Sequence, residues 1–263
     1  MDLHPRNAGF AWRSAAPPYA FLSADQARAY DEDGYFVLRG AFTADEVRAV
    51  AAAIDPFEAA EEARLRAVGG RQSISIADAI TFTIHLVARS PALKALSRHR
   101  VFQGLAHDTL GPRPRLYWDQ AVYKKPGNPE EFPWHQDNGY TFIEPQQYLT
   151  CWVALTDATL DNGCPWVVPG LHRLGTLRHE LTPLGFKCLD APSGAVAAPA
   201  QAGDVVVFSS LTPHRTGPNL TGETRKTYIL QYAPDGAVAW PRGQDAGVVQ
   251  NDPVRQYRID EDG

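Results

Sequence analysis

The sequence lacks most of what would mark a secreted, membrane-bound or nucleic-acid-binding protein. It has only 3 cysteines, Cys151, Cys164 and Cys188. Their number is odd and no two form a C-x-x-C pair, which argues against a disulfide framework or a cysteine-based zinc site and for a reducing compartment. No apolar run approaches the roughly 20 residues that a membrane helix needs. The opening MDLHPRNAGF has no apolar core of the kind a signal peptide carries. There is no long basic block, and 25 Lys and Arg stand against 30 Asp and Glu, so nucleic acid is not an expected partner. Internal repeats and low-complexity tracts are also missing. The expectation is a cytoplasmic protein with one large domain. Oligomeric state has no signature in the sequence.

What is present divides the chain into two halves of different character. Residues 1–20 hold Pro5, Pro17 and Pro18 and little pattern, and read as an extended arm. Residues 21–263 read as a single domain. Ser23-Ala24-Asp25-Gln26 and Thr43-Ala44-Asp45-Glu46 have the form of capping boxes, each opening a helix, the second over about 43–66. Between them a glycine-bounded apolar run, 34–40, reads as a strand. A further helix is expected over about 91–109. After residue 114 short β-like runs alternate with turn residues, at 115–123, 149–155, 165–168, 204–208 and 227–232. Many short strands with Gly/Pro turns predict a sandwich or barrel over about 114–235. The segment 182–201 is rich in small residues and broken by prolines, and reads as a mobile loop of the sort that covers a site.

The chemistry starts at His135-Gln136-Asp137. On an extended strand, residues i and i+2 share a face, so an imidazole nitrogen and a carboxylate oxygen would converge on one metal ion. With 8 histidines in the chain, the tripeptide alone reads more readily as a surface turn with a His–Asp hydrogen bond. His214, at the end of a downstream strand-like run, changes the odds. Two imidazoles and one carboxylate make the facial triad of non-haem iron(II) oxygenases, which leaves coordination positions open for O2 and a cosubstrate. Zinc accepts the same ligands, so the donor set alone does not select iron. Arg225 lies eleven residues beyond His214, across turn material. Neighbouring antiparallel strands would aim both at one pocket, where the planar guanidinium can grip a carboxylate with two parallel bonds.

The segments FPWHQDNGY, ALTDATLDNGCPWVVPGLH, AGDVVVF, PHRTGPN and TRKTYILQY, with YDEDGYFVLRGAFTADEVRAV before them, resemble the phytanoyl-CoA dioxygenase family. The resemblance spans about residues 21–235. Leu171 stands where that family usually has Ser, a departure outside the metal site. The resemblance implies a mainly β fold with flanking helices around a double-stranded β-helix, the jelly-roll or cupin-like core. It implies Fe(II) held by His135, Asp137 and His214, and 2-oxoglutarate gripped at its far carboxylate by Arg225. It places Thr216 beside that carboxylate, and Trp152 and Gln120 along the cosubstrate wall. Phe132, Trp134, Trp152 and Trp166 are candidates for apolar walls that keep water out. Asn138 and Tyr140 directly follow the H-x-D and are expected at the substrate side of the pocket.

The reaction so implied is hydroxylation of a small organic substrate, consuming O2 and releasing succinate and CO2. Asp137 speaks against the halogenating subclass, in which Gly or Ala replaces that acid. Desaturation, epimerisation and ring formation use the same triad and stay open. A jelly-roll protein that binds a metal or small ligand without turnover is the competing reading, though it gives Arg225 no task. The substrate itself is not specified. Arg71, Lys124, Lys125, Arg173 and Arg178 read either as solvated surface or as contacts for an anionic substrate.

Overall fold

The computed structural model describes residues 1–260. Both capping boxes form. Ser23 accepts from the Gln26 amide to open the helix Ala24–Glu32, and Thr43 accepts from the Glu46 amide to open Ala44–Ala67. The helix expected over 91–109 is instead two, Pro91–Leu96 and Arg100–Leu110. The break falls where the His99 side chain accepts from the Val101 amide, capping a new helix rather than continuing the old one.

The β half is built on two main antiparallel sheets, with a three-stranded sheet of Phe142–Glu144, Val238–Trp240 and Val248–Val249 and a two-stranded hairpin beside them. The larger runs in the order Tyr35–Leu38, Val205–Ser209, Leu149–Ala154, Arg225–Pro234, Pro114–Lys124, Ile80–Ile84, and then two short edge strands. The smaller runs Val196–Ala197, Pro165–Val167, His214–Thr216, Phe132–His135. Side-chain alternation sorts each central strand into two faces. In Leu149–Ala154, Leu149, Cys151 and Val153 join Phe102, Leu105 and Ile54 in the main apolar core under the helices. Thr150 and Trp152 face the other way, into the barrel. Both faces are buried, which is why this strand reads as a near-continuous apolar run. The result is the jelly-roll core with helices on one flank.

Ile80–Ile84, a strand flanking the site, is not singled out in the sequence, while the extended segment expected at His135 is the strand Phe132–His135, which ends there. The stretch 182–201 is more built than a loop. Glu180–Thr182 pairs with Gly185–Lys187 as a hairpin, and Val196–Ala197 adds to the smaller sheet beside Pro165–Val167. No helix among the described residues is long and apolar enough to cross a membrane.

Gly34 ties the first helix to the sheets. It sits at φ +81°, and a Cβ there would lie 2.5 Å from His172 Nδ1 and 2.6 Å from Thr212 Oγ1. Gly34→Ala therefore combines a left-handed backbone with overpacking, and is expected to lower unfolding stability by about 2–4 kcal/mol in a urea titration.

Candidate active site

His135 closes the strand Phe132–His135 and His214 opens the strand beside it. The two are cross-strand partners, with ring centroids 4.1 Å apart. Asp137 does not continue the strand. It begins a 3-10 turn, Asp137–Gly139, so this turn, rather than strand alternation, swings the carboxylate to the imidazoles. Asp137 Oδ1 lies 3.9 Å from His135 Nε2 and 3.7 Å from His214 Nε2. One ligand atom from each residue falls within 4.8 Å of the others, and no other set of three such residues converges in this way among the described residues.

The surrounding hydrogen bonds prepare these groups to be ligands. His135 Nδ1 faces the Pro133 carbonyl at 2.8 Å and His214 Nδ1 faces the Thr212 carbonyl at 3.0 Å. A carbonyl only accepts, so each Nδ1 carries the proton and each Nε2 keeps its lone pair for the centre. Burial pushes the imidazoles down, to about 3 for His135 and about 4 for His214, which keeps both neutral. Burial also raises the Asp137 carboxyl, while His135 and the hydroxyl of Thr150 oppose that shift. Thr150 Oγ1 donates to Asp137 Oδ2 at 2.5 Å and accepts from Gln231 Nε2 at 3.3 Å. A divalent cation between two neutral imidazoles and a carboxylate would favour the protonation states that ligation needs. The donor set therefore fits a ferrous ion. Thr150 was not singled out in the sequence, because a threonine mid-strand has no motif of its own. Thr150→Val keeps the shape and removes the hydroxyl. It is expected to weaken iron(II) affinity about 10- to 100-fold, read from the iron dependence of succinate formation.

Arg225 begins the strand Arg225–Pro234 and is only 1% exposed. Its Nε, Nη1 and Nη2 are all buried without a hydrogen-bond partner, and its guanidinium lies over the Trp152 ring at 5.1 Å. Loss of hydration pulls its pKa down to about 10. Directly across the ladder is Lys124, fully buried rather than at the surface. Its Nζ donates to Thr216 Oγ1 at 3.3 Å and to the Glu130 and Gly217 carbonyls. Burial, and then the neighbouring Arg225, push Lys124 down to about 7. A buried guanidinium with a buried amine beside it, neither in an ion pair, makes this end of the barrel receptive to a carboxylate, which would in turn favour the charged form of Lys124.

Two cavities meet at the triad. The narrower, about 50 Å³, runs to Arg225 and is walled by Trp152, Thr216 and Gln120. The wider, about 550 Å³, opens from His135 and Asp137 towards Tyr117, Trp118, Tyr140 and Tyr148. Gln120 borders both, its Oε1 accepting from Trp118 Nε1 at 3.2 Å. Tyr140 lines the wider cavity, edge-on to His135, and accepts from the Phe186 amide at 3.4 Å. Asn138 does not reach the pocket. It is buried, accepts from the Ile143 amide at 2.8 Å and donates to Thr176 Oγ1 at 2.7 Å, so it secures the turn after Asp137. Phe132 and Trp152 line the narrower cavity. Trp134 and Trp166 instead flank the guanidinium of Arg215, which bridges to Glu131.

The model of the phytanoyl-CoA dioxygenase (PhyH) family matches residues 30–227. The chain belongs to the phytanoyl-CoA dioxygenase family. Phytanoyl-CoA dioxygenase domain-containing protein 1 of Bos taurus is 27% identical over 84% of this chain and 93% of its own length. Among solved structures, the non-heme alpha-ketoglutarate-dependent carbocyclase SnoK from nogalamycin biosynthesis superposes with a TM-score of 0.71. It is 23% identical and covers 90% of this chain and 96% of its own. EctD from S. alaskensis, solved with 2-oxoglutarate and 5-hydroxyectoine, gives a TM-score of 0.69 at 24% identity, covering 97% and 95%. At these identities the two solved structures establish the shared fold. Family membership and the converging triad together make this phytanoyl-CoA dioxygenase relative a 2-oxoglutarate-dependent non-haem iron oxygenase.

Proposed function

We propose that the protein hydroxylates a small organic substrate, with conversion of 2-oxoglutarate to succinate and CO2. The observation that carries this reading is Arg225: a buried guanidinium with no hydrogen bond on any nitrogen, at the blind end of a cavity whose other end is the triad. A buried unpaired charge is costly, and a protein retains one where a ligand completes it. A five-carbon keto-diacid has a carboxylate for Arg225 and, at its far end, a keto-acid for the metal. That is the cosubstrate in the solved EctD structure.

His135, Asp137 and His214 would hold the iron on one side, leaving the remaining positions to face the two cavities. Ferrous iron, when bound, supplies the oxygen-activating chemistry. The protein's own residues set its geometry. Thr150 holds Asp137 by one oxygen and leaves the other for the metal. Lys124 Nζ donates to the Thr216 oxygen, which leaves the Thr216 proton available to the carboxylate at Arg225. Trp152 lies against the guanidinium and Phe132 and Phe82 line the junction of the cavities, excluding water from the reacting centre.

The test is anaerobic addition of iron(II) and 2-oxoglutarate to the folded protein. A weak visible charge-transfer band is expected, followed, on admitting O2, by succinate. A folded protein that binds iron without giving the band would overturn the reading.

A further inference from the structure

The reaction leaves the wider cavity unexplained, and its walls have a distinct chemistry. In the ladder between Arg225–Pro234 and Pro114–Lys124, Gln231 pairs with Trp118 while the next residue, Tyr232, pairs with Leu116. Tyr117 is the extra residue of a β-bulge. A bulge re-aims side chains, and here both Tyr117 and its neighbour Trp118 line the cavity, where regular alternation would have sent one of them into the core. Tyr148 packs edge-on to Tyr117, with centroids 5.3 Å apart. Tyr148 is 1% exposed, and neither phenol makes a hydrogen bond to any described residue. Tyr140 accepts from the Phe186 amide, so its own proton is also unspent. Three phenol donors therefore face one cavity and none donates within the protein. The cations on the same wall, Arg64 and Arg89, are exposed at the rim. Arg64 is already bonded through two nitrogens to Glu61.

These observations separate substrate classes. A long alkyl chain filling the cavity would expel water and strand three phenol protons, each an unmade bond in a dry site. An anionic head group would meet only the exposed rim arginines, Arg64 and Arg89, and beside Tyr117 an Arg255 already paired with Asp252. An uncharged ring system bearing carbonyl, ether or hydroxyl oxygens answers both conditions, with Trp118, Phe82 and Phe132 as flat walls for its faces. Resting on the oxygenase reading above, we propose that the wider cavity selects an uncharged, cyclic, polyoxygenated molecule, and that Tyr117, Tyr140 and Tyr148 determine this specificity by donating to its oxygens.

The experiment is equilibrium binding, followed by tryptophan fluorescence, on the full chain held anaerobic with iron(II) and 2-oxoglutarate. The probes are a panel of neutral polyhydroxylated polycyclic aglycones and their glycosides, set against straight-chain acyl-CoA thioesters. The tightest binder is expected among the neutral ring compounds. Tyr117→Phe and Tyr148→Phe, which preserve shape, are each expected to weaken it about tenfold while leaving acyl-CoA binding unchanged. A panel in which an acyl-CoA binds tightest, or in which no ring compound binds below the millimolar range, overturns the proposal. So does a best ring binder indifferent to both substitutions. The charge-transfer band in the same sample reports on the oxygenase reading separately. Its presence with reversed probe preference sinks only the substrate class. Its absence, with ring compounds still bound through the phenols, sinks only the oxygenase reading.

Discussion

Asp137→Ala is expected to abolish succinate formation while leaving the circular dichroism spectrum of the folded protein intact. The reasoning is one of charge. His135 and His214 are both held neutral by burial and by carbonyls at Nδ1, so Asp137 is the single anion that faces the metal position. Removing it leaves two neutral donors for a dication. Loss of an outer partner alone weakens metal sites about 10- to 100-fold, so loss of the anionic ligand should exceed a hundredfold. The apo protein has little reason to unfold, because burial already opposes the ionised carboxylate and the loss is confined to its side-chain bonds with Thr150 and Gln231. Iron(II) titration should therefore show the defect directly. Leu171→Ser, half-buried and outside both cavities at the triad, serves as the control and should keep succinate formation within about twofold. An Asp137→Ala protein that binds iron and releases succinate like the parent would remove the triad from the account.

Arg225→Met should raise the KM for 2-oxoglutarate by about a hundredfold or more, since truncating one partner of a buried charge pair costs about 2–5 kcal/mol. The same change should have the opposite effect on the protein alone. The folded state lowers the Arg225 pKa to about 10, which means that it disfavours the charged form. A methionine removes a buried cation that has no partner and fills part of its volume. Without cosubstrate, the variant should thus melt at or above the parent's temperature. With saturating 2-oxoglutarate, the parent should gain stability and the variant should not. Arg225→Lys should not restore binding fully, because an ammonium lacks the planar fork. Thermal melts with and without 2-oxoglutarate check all three outcomes. A variant less stable than the parent in both conditions would recast Arg225 as a structural residue.

The two substitutions address opposite ends of one line of side chains. In Arg225–Pro234, alternation sends Arg225, Ile229 and Gln231 to the barrel interior, from the buried cations, past the triad, to the wider cavity. Cross-strand neighbours repeat the order: Lys124 beside Arg225, Trp152 and Gln120 beside Ile229, Thr150 and Trp118 beside Gln231. Cosubstrate and substrate sites are thus two segments of the same ladder. Their separation is fixed by strand rise rather than by loops.

The sequence by itself determined the His–Asp–His set, the starts of the first three helices and the central strands. These are local or periodic properties: a capping box needs four residues, a strand reveals itself by alternation or a β-branched run, and the H-x-D with its distal His and Arg survives as a pattern of residue types. It did not determine what each neighbour of the motif does. Asn138 and Tyr140 stand two apart in sequence, yet one locks a turn and the other lines a cavity, because the 3-10 turn after Asp137 breaks the alternation that would have paired them. Lys124 read as a possible surface charge, and pairing with Arg225 across the sheet buried it instead. Thr150 and the bulge at Tyr117 have no local mark, since a hydrogen bond to a residue on another strand and a register shift exist only once two distant segments lie side by side. Composition and spacing name the reactive groups. Strand register, which depends on the packing of the whole barrel, decides which of them meet.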